Sequence, residues 1–368
     1  MKTLFILYYR LDTGGVQTKI IDIINYCAKQ KRKLRIILIL REKHVLDRIQ
    51  EIKNPKAIIR YYTDTPWSHL PFFFPVYILG LTFIYSPNAV LAFTFIPALC
   101  AIWAKLLFFI KHITVVLSED WSEPDELSRD LRGNFPYLRR LVFQLFYHQA
   151  DAICTVNAQI SHTLIHAYHI PKSIIMPIQN WFMPTGRAVH TNYTKKIYDL
   201  IYVGRLEPVK NILFLLSAFR KIVSKHPQAT FCIVGSGTEE TKLKNYVKNN
   251  RLSDRVLFTG FISDPSSYMA KSKLFVLASK NEGLPMALLE AMASKLPLIC
   301  SHYPAVHDVV AHGYNGYIYQ TAKEYMEYVE KLLRNPKLRT TLGNNGCSMV
   351  TRKFNQNNIN QYIQLLHI

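Results

Sequence analysis

The chain has 368 residues, of which 49% are hydrophobic and 19% are charged. This composition excludes a disordered protein, and the length predicts two domains rather than one. The formal net charge of +20 favours polyanionic partners such as an anionic membrane surface or phosphorylated substrates. Because the charge is spread over both halves and no zinc-finger spacing or aromatic-studded basic motif is present, a nucleic-acid-binding protein is disfavoured.

The N-terminal half alternates apolar runs that predict buried strands with segments that predict helices. The strand-like runs are "TLFILYY", "LRIILIL", "AVLAFT", "ITVVLS" and "DAICTV", and the helix-like "VQTKIIDIINYCAKQ" follows the first. The first run is too short for a signal peptide and no small-residue cleavage site follows it. The apolar block at 71–117 is divided by Pro97 and Lys105, which favours a strand–helix–strand unit over a membrane span.

The alternation restarts after a break at about 182–195. The second half contains the strand-like runs "DLIYVG", "TFCIVG", "RVLFTG", "LFVLAS" and "PLICS", again separated by helical segments. Continuous apolar strands alternating with helices predict an α/β fold with parallel sheets covered on both faces. We therefore expect two Rossmann-like domains, residues 1–185 and 196–350, facing a central cleft. Ligands in such folds bind at the carboxyl ends of the strands.

Six cysteines are scattered along the chain without a Cys-x-x-Cys pair, which predicts reduced, mostly buried thiols in a cytoplasmic protein. Metal signals are also weak. The helical spacing of His162, His166 and His169 comes without an acidic partner, and no Asp-x-Asp pair occurs. We expect no metal and no other cofactor.

Two glycines, Gly14 and Gly15, separate the first predicted strand from its helix. Glycine there lets the backbone approach a phosphate at the helix N-terminus, although a tight turn explains the pair equally well. The dinucleotide fingerprint is absent, since "GSGTEE" at 235–240 has Glu240 where the third glycine belongs. An NAD or FAD enzyme is therefore disfavoured.

The segment "YVGRLEPVKN" (202–211) ends a predicted strand at Gly204 and then presents two cations, Arg205 and Lys210. A guanidinium fork and a compact ammonium at the end of a strand suit a diphosphate. The alternative is a pair of solvated surface charges. The predicted position at a ligand-binding edge favours the diphosphate.

The segment "ASKNEGLPMALLEAMAS" (278–294) carries two glutamates, Glu282 and Glu290. Pro285 is predicted at the first helical position, so an anion-binding helix N-terminus follows the strand. Carboxylates would repel a diphosphate but accept hydrogen bonds from hydroxyl groups, which suits sugars. The alternatives are a helix-capping acid at Glu282 and a solvated helical residue at Glu290, where apolar neighbours argue against the second.

Taken together, "EGLPMALLE", "VGRLEPVKN", "GSG", "RVLFTGF" and the early "GG" resemble the retaining glycosyltransferases of family 4, which have the GT-B architecture. The resemblance runs from about residue 3 to 320. It implies that the segment 351–368 forms a last helix that crosses back to the first domain. It also implies a nucleotide-sugar donor, with donor-binding residues at Gly15, Gly204, Arg205, Lys210, Gly235, Glu282, Gly283, Leu284 and Glu290.

The resemblance also implies individual roles. Arg205 and Lys210 would hold the diphosphate, Glu282 the donor sugar and Glu290 the ribose, while the N–H groups of Gly283 and Leu284 would contact sugar or phosphate. Gly15 would allow close approach to the diphosphate from the first domain, and Gly204 and Gly235 lie in matching glycine positions. We lean towards UDP over GDP as the nucleotide.

One position departs from the family pattern. Many relatives carry a histidine near the reacting sugar where "VVLSEDW" places Asp120, so Glu119 and Asp120 become candidates for a donor-sugar or acceptor contact. The catalytic candidates are thus Glu282, Asp120, Arg205 and Lys210. In a retaining front-face reaction the leaving diphosphate can take the acceptor's proton, so the protein supplies mainly positioning and cations.

The acceptor is expected on the first domain. Its segments 27–35, 66–77 and 128–149 are basic and aromatic, and the last suits either an interfacial helix on anionic lipid or an ordinary amphipathic helix. Relatives commonly extend lipid-linked or lipopolysaccharide glycans, which predicts a peripheral protein on the inner face of the cell membrane. The alternatives are a GT-B nucleotide-sugar 2-epimerase and a membrane-binding relative without activity.

Overall fold

The computed structural model describes residues 1–11, 14–30, 34–43, 48–65, 73–107, 112–120, 141, 143–183 and 196–368. These residues form two compact units. The N-terminal unit comprises Met1–Asn180 together with Asn357–Ile368, and the C-terminal unit comprises Trp181–Gln356. Parts of the predicted segments 27–35, 66–77 and 128–149, and most of the predicted break at about 182–195, lie outside the described residues, as do the basic side chains Arg129, Arg132, Arg139 and Arg140.

The N-terminal unit is built on a seven-stranded sheet in which all neighbouring strands are parallel. Its strands are β1 Lys2–Tyr8, β2 Leu34–Leu40, β3 Ala57–Tyr61, β4 Ala89–Phe93, β5 Thr114–Glu119, β6 Ala152–Thr155 and β7 Ile175–Pro177. The order β3-β2-β1-β4-β5-β6-β7 reverses direction between β1 and β4. The central strands are buried along almost their whole length, which explains their unbroken apolar sequence.

Helices connect these strands. Their bounds are α1 Gly15–Lys29, α2 Phe74–Tyr85, α3 Phe95–Leu107 and α4 Ala158–His166. The strand–helix–strand unit predicted in the apolar block is confirmed as β4, α3 and β5. Among the described helices, none combines the length and hydropathy that a membrane crossing requires.

The C-terminal unit is built on a six-stranded parallel sheet. Its strands are β8 Tyr198–Val203, β9 Phe231–Val234, β10 Val256–Phe258, β11 Ser272–Leu277, β12 Leu298–Ser301 and β13 Gly316–Tyr319. Its helices are α5 Ile212–Lys225, α6 Glu240–Asn249, α7 Ser266–Ala270, α8 Met286–Ala293, α9 Ala322–Arg334 and α10 Pro336–Lys353. The order β10-β9-β8-β11-β12-β13 reverses direction between β8 and β11.

The last helix, α11 Asn357–Leu365, belongs to the N-terminal unit although it ends the chain. Asn360 Oδ1 accepts a hydrogen bond of 2.6 Å from the Tyr26 hydroxyl of α1. Asn358 Nδ2 donates to the carbonyl oxygen of Gln179 at 3.1 Å. Tyr362 and Ile363 are buried, so the helix completes the core of a unit whose first stretch ends at Asn180.

Candidate functional site

The C-terminal unit brings the predicted site together at the point where its strand order reverses. Strands β8 and β11 are neighbours there, and the loops after them carry the predicted cations and the first predicted acid. The two loops are tied directly, because the backbone N–H of Lys280 donates to the carbonyl oxygen of Val209 at 2.9 Å. In open α/β sheets this reversal leaves a crevice at the carboxyl ends of the strands, where ligands bind.

Lys210 and Glu282 form an ion pair across these loops. Both side chains are largely buried, at 14% and 12% exposure. Ser279 Oγ donates to the same oxygen, Glu282 Oε1, at 2.7 Å. Within the described part of the chain, Glu282 Oε2 receives no hydrogen bond. One oxygen of this carboxylate is therefore fixed by protein donors and the other is available to a ligand.

Arg205 differs from Lys210 in its surroundings. Its side chain is exposed, and in the described residues it has no ion pair or side-chain hydrogen bond. Its backbone is fixed nevertheless, because its carbonyl oxygen accepts a hydrogen bond of 2.9 Å from the buried Tyr202 hydroxyl. The site thus contains one cation already neutralised by Glu282 and one that is open to an anion.

Two of the glycines predicted at the site, Gly204 and Gly235, are required by close packing. Gly204 has a φ of 154°, and a Cβ there would lie 2.8 Å from the Tyr202 hydroxyl. A Cβ on Gly235, which has a φ of 135°, would lie 1.9 Å from the Gly204 carbonyl oxygen. The loops after β8 and β9 therefore approach each other as closely as backbone allows.

The second predicted acid lies on α8, one helical turn beyond its start. Glu290 is partly exposed, while the neighbouring Leu289 and Ala291 are buried. Gly283 and Leu284 are buried in the segment that leads into the helix. Pro285 is the N-cap residue of α8 and the helix begins at Met286, so the prediction that Pro285 occupies the first helical position is wrong by one residue. The ψ of Pro285 is 121°, an extended value, so the backbone becomes helical only from Met286.

In the N-terminal unit, Gly15 is the exposed first residue of α1 and follows β1 closely. Asp120 follows β5, and its oxygens accept from Lys19 Nζ at 2.7 Å and from Ser118 Oγ at 2.8 Å. Lys19 and Asp120 are only 2% and 8% exposed, so the pair is held inside the unit. Ser118 also bonds the Tyr362 hydroxyl at 3.0 Å.

Glu119, the other acid predicted next to Asp120, is fully buried. Its side chain is 0% exposed and accepts a 2.8 Å hydrogen bond from the Tyr147 hydroxyl. Successive side chains of a strand point to opposite faces, so the last residue of β5 can be sealed in the core while Asp120, just beyond the strand, reaches Lys19. The sequence alone did not indicate Lys19 or Ser279 as members of these clusters. The available signal was a lysine on the buried face of α1, next to Ile20 and Ile23.

The cysteines and two neighbouring histidines are further reactive or metal-ligating side chains among the described residues. Burial raises the pKa of the thiols of Cys100, Cys154 and Cys232 to about 12, so these thiols stay protonated at neutral pH. His162 and His166 lie side by side with ring centroids 4.2 Å apart. No group of three histidine, cysteine or acidic side chains that could hold a metal ion occurs in the part of the chain that the structure describes.

Comparisons with known proteins bear on the family and the fold. Residues 186–349 match the family model of glycosyl transferases group 1. N-acetyl-alpha-D-glucosaminyl L-malate synthase of Bacillus anthracis is 28% identical over 279 residues, covering 71% of this chain and 69% of that protein. The UDP-Gal:alpha-D-GlcNAc-diphosphoundecaprenol alpha-1,3-galactosyltransferase of Escherichia coli is 31% identical over 158 residues, covering 42% of this chain and 41% of that protein. Matched segments span about two fifths to two thirds of these curated relatives.

A solved structure is similar over almost the whole chain. The crystal structure of Anabaena HepE in complex with UDP and glucose has a TM-score of 0.79 at 18% identity, covering 99% of this chain and 98% of that chain. At that identity the similarity shows the fold alone. The fold is GT-B, and each of its two α/β units is built on a parallel sheet. The C-terminal unit is therefore similar to the glycosyl transferases of group 1 over residues 186–349, and curated relatives of the chain include glycosyltransferases.

Proposed function

We propose that the protein is a retaining glycosyltransferase that moves a hexosyl or N-acetylhexosaminyl group from a UDP-sugar to a lipid-linked or lipopolysaccharide glycan. The observation that carries the donor half of this proposal is the ion pair of Lys210 and Glu282 beside the open cation Arg205. The two cations bind the diphosphate, with Arg205 as the guanidinium fork and Lys210 as the point charge. Glu282 Oε2 accepts a hydroxyl of the donor sugar, and Glu290 accepts the ribose hydroxyls.

The reaction needs little from the protein beyond positions and charges. The acceptor hydroxyl oxygen forms a bond to the anomeric carbon on the face from which the diphosphate leaves, and the bond from that carbon to the phosphate oxygen breaks. The acceptor's proton passes to the departing phosphate oxygen, so the configuration is retained and no side chain has to act as base. Arg205 and Lys210 stabilise the negative charge that grows on the diphosphate, which takes the place of a metal ion.

A panel of nucleotides tests the donor class. UDP is favoured because HepE was solved with UDP and glucose and because the Escherichia coli relative is named for UDP-Gal. In buffer containing EDTA, we expect UDP to raise the melting temperature more than GDP or ADP, since a ligand at 100 times its Kd stabilises by about 2.7 kcal/mol. Equal shifts with all three nucleotides would contradict a UDP site. A shift that appears only after Mg²⁺ is added would contradict metal independence.

The acceptor half of the proposal is supported by an exposed apolar surface on the N-terminal unit. Eight large apolar side chains are between 40% and 76% exposed on α2, on α3 and on the segment after them. They are Val76, Phe83, Ile84, Trp103, Leu106, Leu107, Leu141 and Leu145. Helices α2 and α3 pack together, and the Trp103 ring meets Phe146 edge to face at 6.4 Å, so the elements that carry these residues are in contact. We call these eight side chains the apolar surface.

Neither α2 nor α3 contains an acidic residue. An apolar surface without acids on a chain of net charge +20 suits the headgroup region of an anionic membrane. We propose that it docks the protein on the inner face of the cell membrane, where lipid-linked acceptors are embedded.

Liposome sedimentation tests this docking. Replacing Phe83 and Ile84 with glutamate should lower binding to phosphatidylglycerol-containing vesicles by about tenfold or more, because each buried side chain of this size contributes about 1.5–3 kcal/mol. The matched control replaces Leu257 and Tyr314, two exposed apolar side chains of the C-terminal unit, with glutamate. The control changes the charge equally and should bind as the wild type does. Equal losses in both variants would show that net charge, rather than the apolar surface, drives binding.

A further inference from the structure

Tyr303 lies just beyond the end of a strand that neighbours the candidate donor site. It follows β12, the strand next to β11, and the two strand ends are joined by a 2.6 Å hydrogen bond from Ser301 Oγ to the carbonyl oxygen of Ser279. Ser279 in turn donates to Glu282. The Tyr303 side chain is 1% exposed, so it cannot contact solvent or donor directly in this arrangement.

The hydroxyl of Tyr303 has no hydrogen-bond partner among the described residues. Burying a hydroxyl without a partner costs about 1–3 kcal/mol. A phenylalanine at this position would fill nearly the same volume without that cost. The hydroxyl therefore destabilises the ligand-free protein. A hydrogen-bond partner in the ligand-bound protein would remove this free-energy cost.

Glu282 and Tyr303 lie in segments that two hydrogen bonds connect, one from Ser279 Oγ to Glu282 and one from Ser301 Oγ to the Ser279 carbonyl oxygen. Burial raises the pKa of Tyr303 well above its usual value, and the negative charge of Glu282 raises it further. The same carboxylate adds to the rise in pKa that burial causes for Cys300 at the end of β12. Tyr303 therefore keeps its proton at neutral pH and can act only as a donor towards an anion.

Donor binding offers the Lys210 ammonium a second anionic partner. In the ligand-free site its ammonium is paired with Glu282, but a bound diphosphate carries more negative charge than one carboxylate. As Lys210 turns towards the diphosphate, Glu282 Oε1 loses its strongest donor and keeps only Ser279. We propose that Tyr303 is a positioning residue: its hydroxyl donates to Glu282 once Lys210 has moved to the diphosphate, and so fixes Glu282 for the donor sugar. This inference rests on the proposed function.

Tyr303→Phe tests the proposal, and Tyr325→Phe is its matched control. Tyr325 on α9 is also fully buried in the C-terminal unit with an unpartnered hydroxyl, but burial alone raises its pKa. Both variants should fold with unchanged or higher melting temperatures. The affinities for UDP and for the UDP-sugar that stabilises the wild type most should be measured by calorimetry.

We expect Tyr303→Phe to bind UDP as the wild type does and to bind the UDP-sugar about tenfold more weakly, whereas Tyr325→Phe should change neither affinity. A merely structural role of Tyr303 would lower both affinities together. An unchanged UDP-sugar affinity in Tyr303→Phe would overturn the proposal and leave the proposed function intact. Absence of UDP binding by the wild type would instead refute the proposed function.

Discussion

Replacing Lys210 with alanine is expected to weaken UDP binding by roughly 10- to 150-fold, the equivalent of about 1.5–3 kcal/mol for a charge-assisted contact. The physical reason is the loss of the ammonium that we place on the diphosphate. Calorimetric titration with UDP measures the effect. Lys221→Ala, which removes an exposed lysine of α5, should bind UDP as the wild type does and controls for net charge.

The same substitution leaves the partly buried Glu282 without its cation, so Lys210→Ala should also unfold at a lower temperature. The double variant Lys210→Ala/Glu282→Gln removes both charges and should regain stability without regaining UDP affinity. Comparing the single and the double variant distinguishes a loss of UDP binding from a loss of stability. Wild-type affinity for UDP in Lys210→Ala would exclude Lys210 from the diphosphate site.

Glu282→Gln is expected to act in the opposite direction on the nucleotide. The substitution keeps the shape of the side chain but removes the charge that holds Lys210, so Lys210 becomes free to bind an anion. Affinity for UDP should therefore equal or exceed that of the wild type. Turnover of the UDP-sugar should fall by roughly 10- to 100-fold, because a hydrogen bond between the sugar hydroxyl and a charged acceptor is weakened. Steady-state kinetics and calorimetry together measure both quantities.

Glu290→Gln provides the contrast for this prediction. Because we place Glu290 on the ribose, which UDP and the UDP-sugar share, its substitution should lower both affinities by a similar factor. If Glu282→Gln behaved in the same way, Glu282 would have to contact the nucleotide rather than the sugar. Unchanged turnover in Glu282→Gln would remove it from the reaction altogether.

Much of the fold could be predicted from the sequence because continuous apolar runs such as "AVLAFT" and "ITVVLS" are stable only in a sheet covered on both faces. The exact residue at which a helix begins was predicted less accurately. Pro285 is the N-cap residue of α8 and not its first helical residue, because its ψ is extended where the chain turns after Gly283 and Leu284. The family resemblance, carried by short motifs in a fixed order, is confirmed by the match over residues 186–349.

Side-chain partners could not be predicted in the same way. Lys210 and Glu282 are 72 positions apart and meet only because β8 and β11 are neighbours, and strand order is not encoded in hydrophobic periodicity. The pair of Lys19 and Asp120, 101 positions apart, depends likewise on how α1 packs beside the end of β5. Asp120 was expected to face substrate, and its contact with donor or acceptor stays a prediction. Its described partners lie within its own unit.

The position of α11 has a consequence for biosynthesis. A ribosome makes residues 1–180 first, yet their unit also needs Tyr362. The Tyr362 hydroxyl bonds Ser118, and its ring lies over the Lys19 ammonium, which is 4.7 Å from the ring centroid. Domains usually fold in the order of their synthesis. Here the C-terminal unit is one uninterrupted stretch, whereas the N-terminal unit consists of two stretches that it separates. The N-terminal unit begins first and is completed last, so the nascent chain carries an unfinished core throughout most of its translation.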